Sequence, residues 1–388
     1  MTRFLSQTVS LLFLSLYCLG QAQQSLIVPK YLRLPVDSVQ STQLVASLNG
    51  LLDQPSGSNK DNAFIQAGYL PETSVLLDEM KGMADAGPGK KNVYPCYLEN
   101  VSLIDSADYF VQFSYIGNSG SAPVLRASFK LIAYRQGDQY FFRSPLRRNT
   151  PAWHTKKAGH FIFHYSAPPD EAALTAYVKK AEEFDKKLHA PDYTTEFYCC
   201  NTLQEALELM GVTYKLDYNG IAAENFSSFE DNTFLNVVGR VNTDPALFDL
   251  HDLWHDRLHQ VIPVSIINKP IDEGCAYLYG GSWGLSWEEI FKQFKIYMGD
   301  NKDWLTAFSE NKNFGSSQRY HLYVAYVIDA LLVQKIEKEK GFDAVMEFLS
   351  CGKSQPGNDK YFAALDKIAG INRLNFNETI EKLVEEQK

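Results

Sequence analysis

The residues with the types and spacing for metal chemistry lie in two short stretches, His251-Asp252-Leu253-Trp254-His255 and Asp272-Glu273-Gly274-Cys275-Ala276-Tyr277. Residues four apart on a helix share a face, so His251 and His255 point the same way. Two imidazoles from one helix and a carboxylate, Glu273, from the next give three protein ligands and one open position, the arrangement of a catalytic zinc site. The usual hydrolytic version is His-Glu-x-x-His, in which the glutamate is the general base. Here Asp252 stands at that place. Aspartate has the same acid–base chemistry with one methylene less reach. The substitution therefore touches the base and leaves the ligand set intact.

The elements that must position these residues are legible nearby. Asp244 is a good N-cap, Pro245 suits the first helical position, and the helix is expected to run to about Ile262 before Pro263. On such a helix Leu247, His251, Trp254, His255, Leu258 and Ile262 form one stripe, so both histidines face inward. An inward imidazole needs a polar partner. Two of them one turn apart need two partners, such as core carboxylates, or one metal. His259 continues the series, but helix rise puts it about 6 Å beyond His255 and about 12 Å beyond His251 along the axis. It is expected at the rim or surface.

The chain has 388 residues, with 37 basic and 46 acidic side chains, and shows no basic block or stripe, so nucleic acid is not an expected partner. Its 22 tyrosines and 24 phenylalanines argue for packed cores rather than disorder. Residues 1–22 have the pattern of a secretory signal peptide: Arg3, an apolar run from Leu11 to Leu19, and Gly20 and Ala22 before the cut. An exported protein, periplasmic or secreted, is expected, with no transmembrane segment after cleavage. Cys96, Cys199, Cys200, Cys275 and Cys351 would remain in the mature chain. Their number is odd, so at least one is unpaired within the monomer; they lack C-x-x-C spacing, an oxidising compartment permits a disulfide whose pairing stays open, and adjacent Cys199 and Cys200 read as buried thiols.

The expected fold class is α+β in two domains. Residues 25–155 carry helical signals at 43–52 and 71–80, then alternating runs at 97–104, 109–116, 124–134 and 139–142, with turns at 117–120 and 135–138. This is a helix-plus-antiparallel-sheet domain, and its outline resembles cystatin-like or nuclear-transport-factor-like cone folds. Residues 157–388 are mainly helical with a small sheet. A strand at 161–165 precedes a long helix from Asp170 to His189. A strand at 196–200 follows, then a short helix stopped by Gly211. The strongest later strand is Phe234–Val238. The run Gly280-Gly281-Ser282-Trp283-Gly284-Leu285-Ser286-Trp287 is a turn whose two tryptophans anchor the helix Glu288–Met298, or else a wall beside the Glu273 helix.

With these residues in place, the second domain resembles the gluzincin metallopeptidases, the peptidase MA-like group. Their pattern, His-Glu-x-x-His and then Glu-Gly-x-Ala-x-Tyr on the next helix, is met here by His251, Asp252 and His255, then Glu273, Gly274, Ala276 and Tyr277. The resemblance covers roughly residues 157–388. It implies Zn²⁺ held by His251, His255 and Glu273, with Asp252 at the general-base position. It further implies an oxyanion-stabilising side chain from a later helix, for which Tyr320, His321 and Tyr323 are candidates. Gly220 to Asn225 is similar to the substrate-binding loop of gluzincin aminopeptidases. The expected function is an exported zinc hydrolase acting on a peptide or protein. The alternative is an inactive gluzincin fold used for binding.

Overall fold

The computed structural model describes residues 26–35, 37–53, 58–83, 94–315 and 320–387. The expected signal segment 1–22 and residues 84–89 of the glycine-rich stretch lie outside them. The protein is mixed α and β, with a sheet-bearing N-terminal part and a mainly helical C-terminal part. It divides into two compact units. The first takes the described residues up to Ala152 together with 203–222 and 226–231; the second takes 153–202, 223–225 and 232 onward.

In the first unit, α1 (Ser38–Leu52) begins where the Asp37 side chain accepts from Gln40 N–H at 2.8 Å. Helix α2 (Leu70–Met80) carries Pro71 in its first turn, and the sheet strands β1 (Cys96–Leu103), β2 (Asp108–Ser119), β3 (Ala122–Gln136) and β4 (Gln139–Arg143) follow in antiparallel order. The expected turn at 117–120 is tighter than its sequence suggests. Ser119 pairs with Ala122, so only Gly120 and Ser121 turn, and Gly120 supplies the left-handed backbone at φ 63°. The core lies between the helices and one sheet face, where Leu44, Leu48, Leu76, Phe113, Phe129 and Phe142 are buried. A short helix, α3 (Leu146–Asn149), ends this stretch.

The second unit opens with the antiparallel pair β5 (His154–Ala158) and β6 (Phe161–Tyr165). Helix α4 (Glu171–Leu188) then carries the chain across to β7 (Thr194–Cys200), which runs parallel to β6. A linear reading places the next elements in this unit, but α5 (Leu203–Met210) and β8 (Val212–Lys215) belong to the first. Strand β8 bonds antiparallel to β3, and Lys130 N–H donates to Gly211 O at 2.7 Å. Sequence order cannot reveal such a return, because pairing with β3 joins residues as far apart as Ala127 and Lys215.

After β9 (Glu224–Glu230), β10 (Thr233–Gly239) pairs parallel with β7. The helices α6 (Leu250–Val261), α7 (Lys269–Gly280), α8 (Trp287–Met298), α9 (Trp304–Glu310), α10 (Val324–Lys340), α11 (Phe342–Leu349), α12 (Asp359–Ala369) and α13 (Phe376–Glu386) complete the unit. Helix α10 is its central rod. Val324, Val327, Ile328, Leu331, Leu332 and Ile336 are all almost fully buried, as is Asp329. Helix α7 approaches it closely at Gly274, where a Cβ would stand 2.8 Å from Ala330 N.

The helix expected from Asp244 to Ile262 is two elements. Asp244 caps a 3₁₀ turn, Pro245–Phe248, and Asp249 then caps α6 by accepting from His251 N–H at 2.8 Å. Asp249 thus closes the turn that Asp244 opened and starts the next helix, which a single run of apolar spacing conceals. The inward stripe holds: Trp254 and Leu258 are fully buried and Ile262 nearly so.

Candidate metal centre

The side chains of His251 and His255 leave one face of α6, and Glu273 comes from the first half of α7. One ligand atom from each lies within 4.8 Å of the other two. His255 Nε2 faces His251 Nε2 at 3.2 Å, and His251 Nε2 is 3.5 Å from Glu273 Oε2. Zinc–nitrogen bonds of about 2.0–2.1 Å in a tetrahedron set neighbouring ligands ~3.3–3.4 Å apart. The observed spacings are those of tetrahedron edges.

The second ring nitrogens decide what the first can do. His251 Nδ1 stands 2.8 Å from the Gly281 carbonyl, which only accepts, so Nδ1 carries the proton. His255 Nδ1 stands 2.9 Å from Asp272 Oδ1, a carboxylate, and is a donor for the same reason. With Nδ1 committed on both rings, the two Nε2 atoms and Glu273 Oε2 face one another. Such a cluster needs a shared positive charge, a proton on an Nε2 atom or a metal ion, and the three ligand atoms could hold the latter. A carboxylate or carbonyl behind each ligating histidine is also the outer-shell pattern that fixes ring orientation and raises ligand basicity.

Electrostatics follow from this geometry. Burial works to lower the His255 pKa, but the Asp272 hydrogen bond and the charges of Asp272, Glu273 and Asp252 raise it to about 9. In the absence of a metal, a proton fills the same need for positive charge. Burial pushes Asp272 up, yet hydrogen bonds from His255 and His259 hold it below the usual carboxylate range. Glu273 is lowered against its burial by the His251 hydrogen bond and by the charges of His255, His251 and Lys269.

Asp272 is the hub that sequence reading left without a role. Its Oδ1 accepts from Trp254 Nε1 at 3.0 Å as well as from His255, and its Oδ2 lies 3.4 Å from His259 Nε2. His259 is thus no mere rim residue. It cannot join His251 and Glu273, but it ties to the centre through Asp272.

Asp252 points to a different set of partners. Its Oδ2 accepts from Asn225 Nδ2 at 2.7 Å and from Arg240 Nη2 at 3.0 Å. Burial and neighbouring Asp249 raise its pKa, while Arg240 and the two histidines pull it down. Arg240 and Asn225 went unnoticed in the sequence as site residues. Their signal is only that both precede the histidine helix, one of them in the Gly220–Asn225 loop.

The three candidates near the start of α10 separate. Tyr320 and His321 lie against Trp283, with ring centroids 6.1 and 5.5 Å away. Tyr323 packs on Tyr326 at 5.2 Å, and its backbone N–H donates to Tyr277 OH at 3.3 Å. Among the described residues, neither Tyr320 nor Tyr323 has a side-chain hydrogen bond to His251, His255 or Glu273. Tyr326, one turn after Tyr323, packs on Tyr277 and Tyr323, and burial, with the Glu273 charge after it, raises its pKa. Tyr277 bridges the two sides, its ring 5.9 Å from His251 and its hydroxyl donating to the His321 carbonyl at 3.1 Å.

The described cysteines are all free thiols, four of them buried. No described helix is long and apolar enough to cross a membrane. No protein-family model matches the chain, and no curated protein matches it either.

Proposed function

We propose that this chain is a zinc-dependent hydrolase acting on peptide bonds, with a gluzincin-like second unit, exported by the segment 1–22. The observation that carries the reading is the pair of Nε2 atoms 3.2 Å apart, each on a ring whose Nδ1 is committed to an acceptor. The order of elements supports it: a strand, a crossover helix, parallel strands, the histidine helix and the Glu273 helix. The first unit, helices packed on an antiparallel sheet, suits a cystatin-like or cone-like outline and a binding role.

His251, His255 and Glu273 would hold the ion. Bound there, zinc supplies Lewis acidity toward a carbonyl and lowers the pKa of a water to about 7. Asp252 would accept the proton through Oδ1, since Asn225 and Arg240 both bond to Oδ2. Arg240 and Asn225 grip Oδ2, fix the carboxylate and favour its ionised form. Tyr326, whose pKa burial and the Glu273 charge raise, and Tyr323 beside it would supply the hydroxyl that steadies a developing oxyanion.

A second reading is a metal-holding binding protein without turnover. It is favoured by the same grip on Asp252, which leaves one carboxylate oxygen for chemistry and a short side chain to deliver it. Two measurements separate the readings. Zinc content after chelation and reloading should reach about one equivalent per chain for such a three-ligand site, and less than about a tenth of that removes the metal centre altogether. Zinc-dependent cleavage of a mixed peptide library then supports the hydrolase. A fully loaded protein that cleaves nothing leaves the binding reading.

A further inference from the structure

The segment joining α7 to α8 carries a feature that the metal centre does not use. Ser282 and Leu285 pair across a two-residue turn, with Ser282 N–H donating to Leu285 O at 3.0 Å and Leu285 N–H returning to Ser282 O at 2.9 Å. The turn residues are Trp283 and Gly284, at φ 55° and 74°. Two successive positive φ values make a type I′ turn, whose first position is ordinarily Asn, Asp or Gly. A bulky residue held in the left-handed region is an outlier. Such strain gathers at functional sites.

Trp287, three residues after the turn, is buried and anchors α8, as the turn reading expected of both tryptophans. Trp283 does the opposite. It is 51% exposed, and among the described residues its indole N–H has no partner. Burial therefore does not explain why tryptophan occupies a place that backbone geometry reserves for small polar residues. Tyr320 and His321 flank its ring, tilted by 31° and 43°. Both shoulders are fixed to the metal centre. Gly281, at the base of the turn, accepts from His251 Nδ1, and Tyr277, packed on His251, donates to the His321 carbonyl.

We infer that Trp283, with Tyr320 and His321, is a specificity platform that takes an aromatic side chain of a peptide next to the bond presented to the centre. The reading of the centre as a peptide hydrolase supplies the word peptide; the platform itself needs no metal. A ring stacked in offset or edge-to-face geometry on an exposed indole gains beyond its buried area. Flanking aromatic rings at 5.5–6.1 Å limit how a ligand ring can tilt against the part of the indole that stays exposed.

The test is binding, not turnover. N-acetyl-Ala-Phe-Ala-amide and N-acetyl-Ala-Ala-Ala-amide are titrated into the full chain by saturation-transfer NMR, with EDTA and again with zinc. The phenylalanine peptide should bind about tenfold tighter in both conditions, a ratio at the upper end of one aromatic pair. Trp283→Asn, which suits the I′ turn and so protects folding, should cut the ratio to about twofold or less, and Trp283→Tyr should restore most of it. Equal affinity of the two peptides for the parent, or a preference that survives Trp283→Asn, overturns the platform. Binding of a cello-oligosaccharide that is lost in Trp283→Asn, with no phenylalanine preference, also overturns it in favour of a sugar. Absence of zinc with the preference intact fails the hydrolase reading alone.

Discussion

Replacing Asp272 by asparagine isolates the charge behind the histidine pair. The substitution keeps the shape: the amide oxygen can accept from Trp254 Nε1 and His255 Nδ1, which now bond to Oδ1 at 3.0 and 2.9 Å. What disappears is the negative charge, which raises the basicity of His255 and draws its Nδ1 proton toward Asp272. The Asp272 side chain is 7% exposed, so solvent cannot replace that field. Loss of such an outer partner weakens metal binding by roughly 10–100-fold, or ~1.4–2.7 kcal/mol. The assay is zinc affinity by competition with a chromophoric chelator, on parent and variant, with circular dichroism to show that both fold. The folded-state pKa of Asp272 is depressed, so its carboxylate contributes stability above the ordinary carboxylate pKa, and that part is lost as pH falls through the folded value. The variant should therefore also melt earlier at neutral pH in the presence of EDTA, with a gap to the parent that closes in strong acid. A folded Asp272→Asn protein with zinc affinity within about twofold of the parent would refute the argument that this carboxylate tunes a metal ligand.

Three further outcomes follow from the geometry. Gly280→Ala puts a Cβ 2.5 Å from the Leu250 carbonyl oxygen and 2.8 Å from His251 N, so α6 must move away from α7. It should cost about 1–3 kcal/mol in chemical denaturation and weaken zinc binding as well; unchanged zinc affinity would show that this close approach does not place His251. Asp252→Asn should leave zinc stoichiometry intact and lower peptide turnover by about 10²–10⁴-fold if Asp252 accepts the proton, so parent-like turnover removes it from that role. Asp329 is fully buried on α10, its pKa raised to about 8 by burial against the opposing hydrogen bond from Tyr361. The unfolded chain loses this proton near pH 4, so stability falls with rising pH from about 4 to 8, by up to ~1.4 kcal/mol per unit, and levels above. Asp329→Asn should flatten that window and stabilise the protein near pH 8; an unaltered pH profile of unfolding would show that Asp329 is ionised in the fold.

Local periodicity made part of this protein legible. Spacing alone placed His251 and His255 on one inward face, because side-chain direction repeats with the helical turn whatever surrounds it. Apolar alternation located the strands of the first sheet, and Gly211 marked a helix end that the structure keeps, at φ 100°. Spacing also set Glu273 on a helix of its own. It could not say which acceptor meets which donor. That Gly281 takes the His251 proton, that Asp272 rather than Glu273 stands behind His255, and that Arg240 and Asn225 close on Asp252 are contacts between separate elements. Each exists only once α6, α7 and the preceding loop have packed. The return of residues 203–222 to the first unit has the same origin, since an open edge of β3 attracts any strand of fitting register. So does the contrast between the two tryptophans of one turn, buried Trp287 and exposed Trp283. Residue type and spacing determined which groups could do chemistry here. Packing decided which acceptor stands behind each ring, and with it the cluster of His251, His255 and Glu273 that could hold a metal ion.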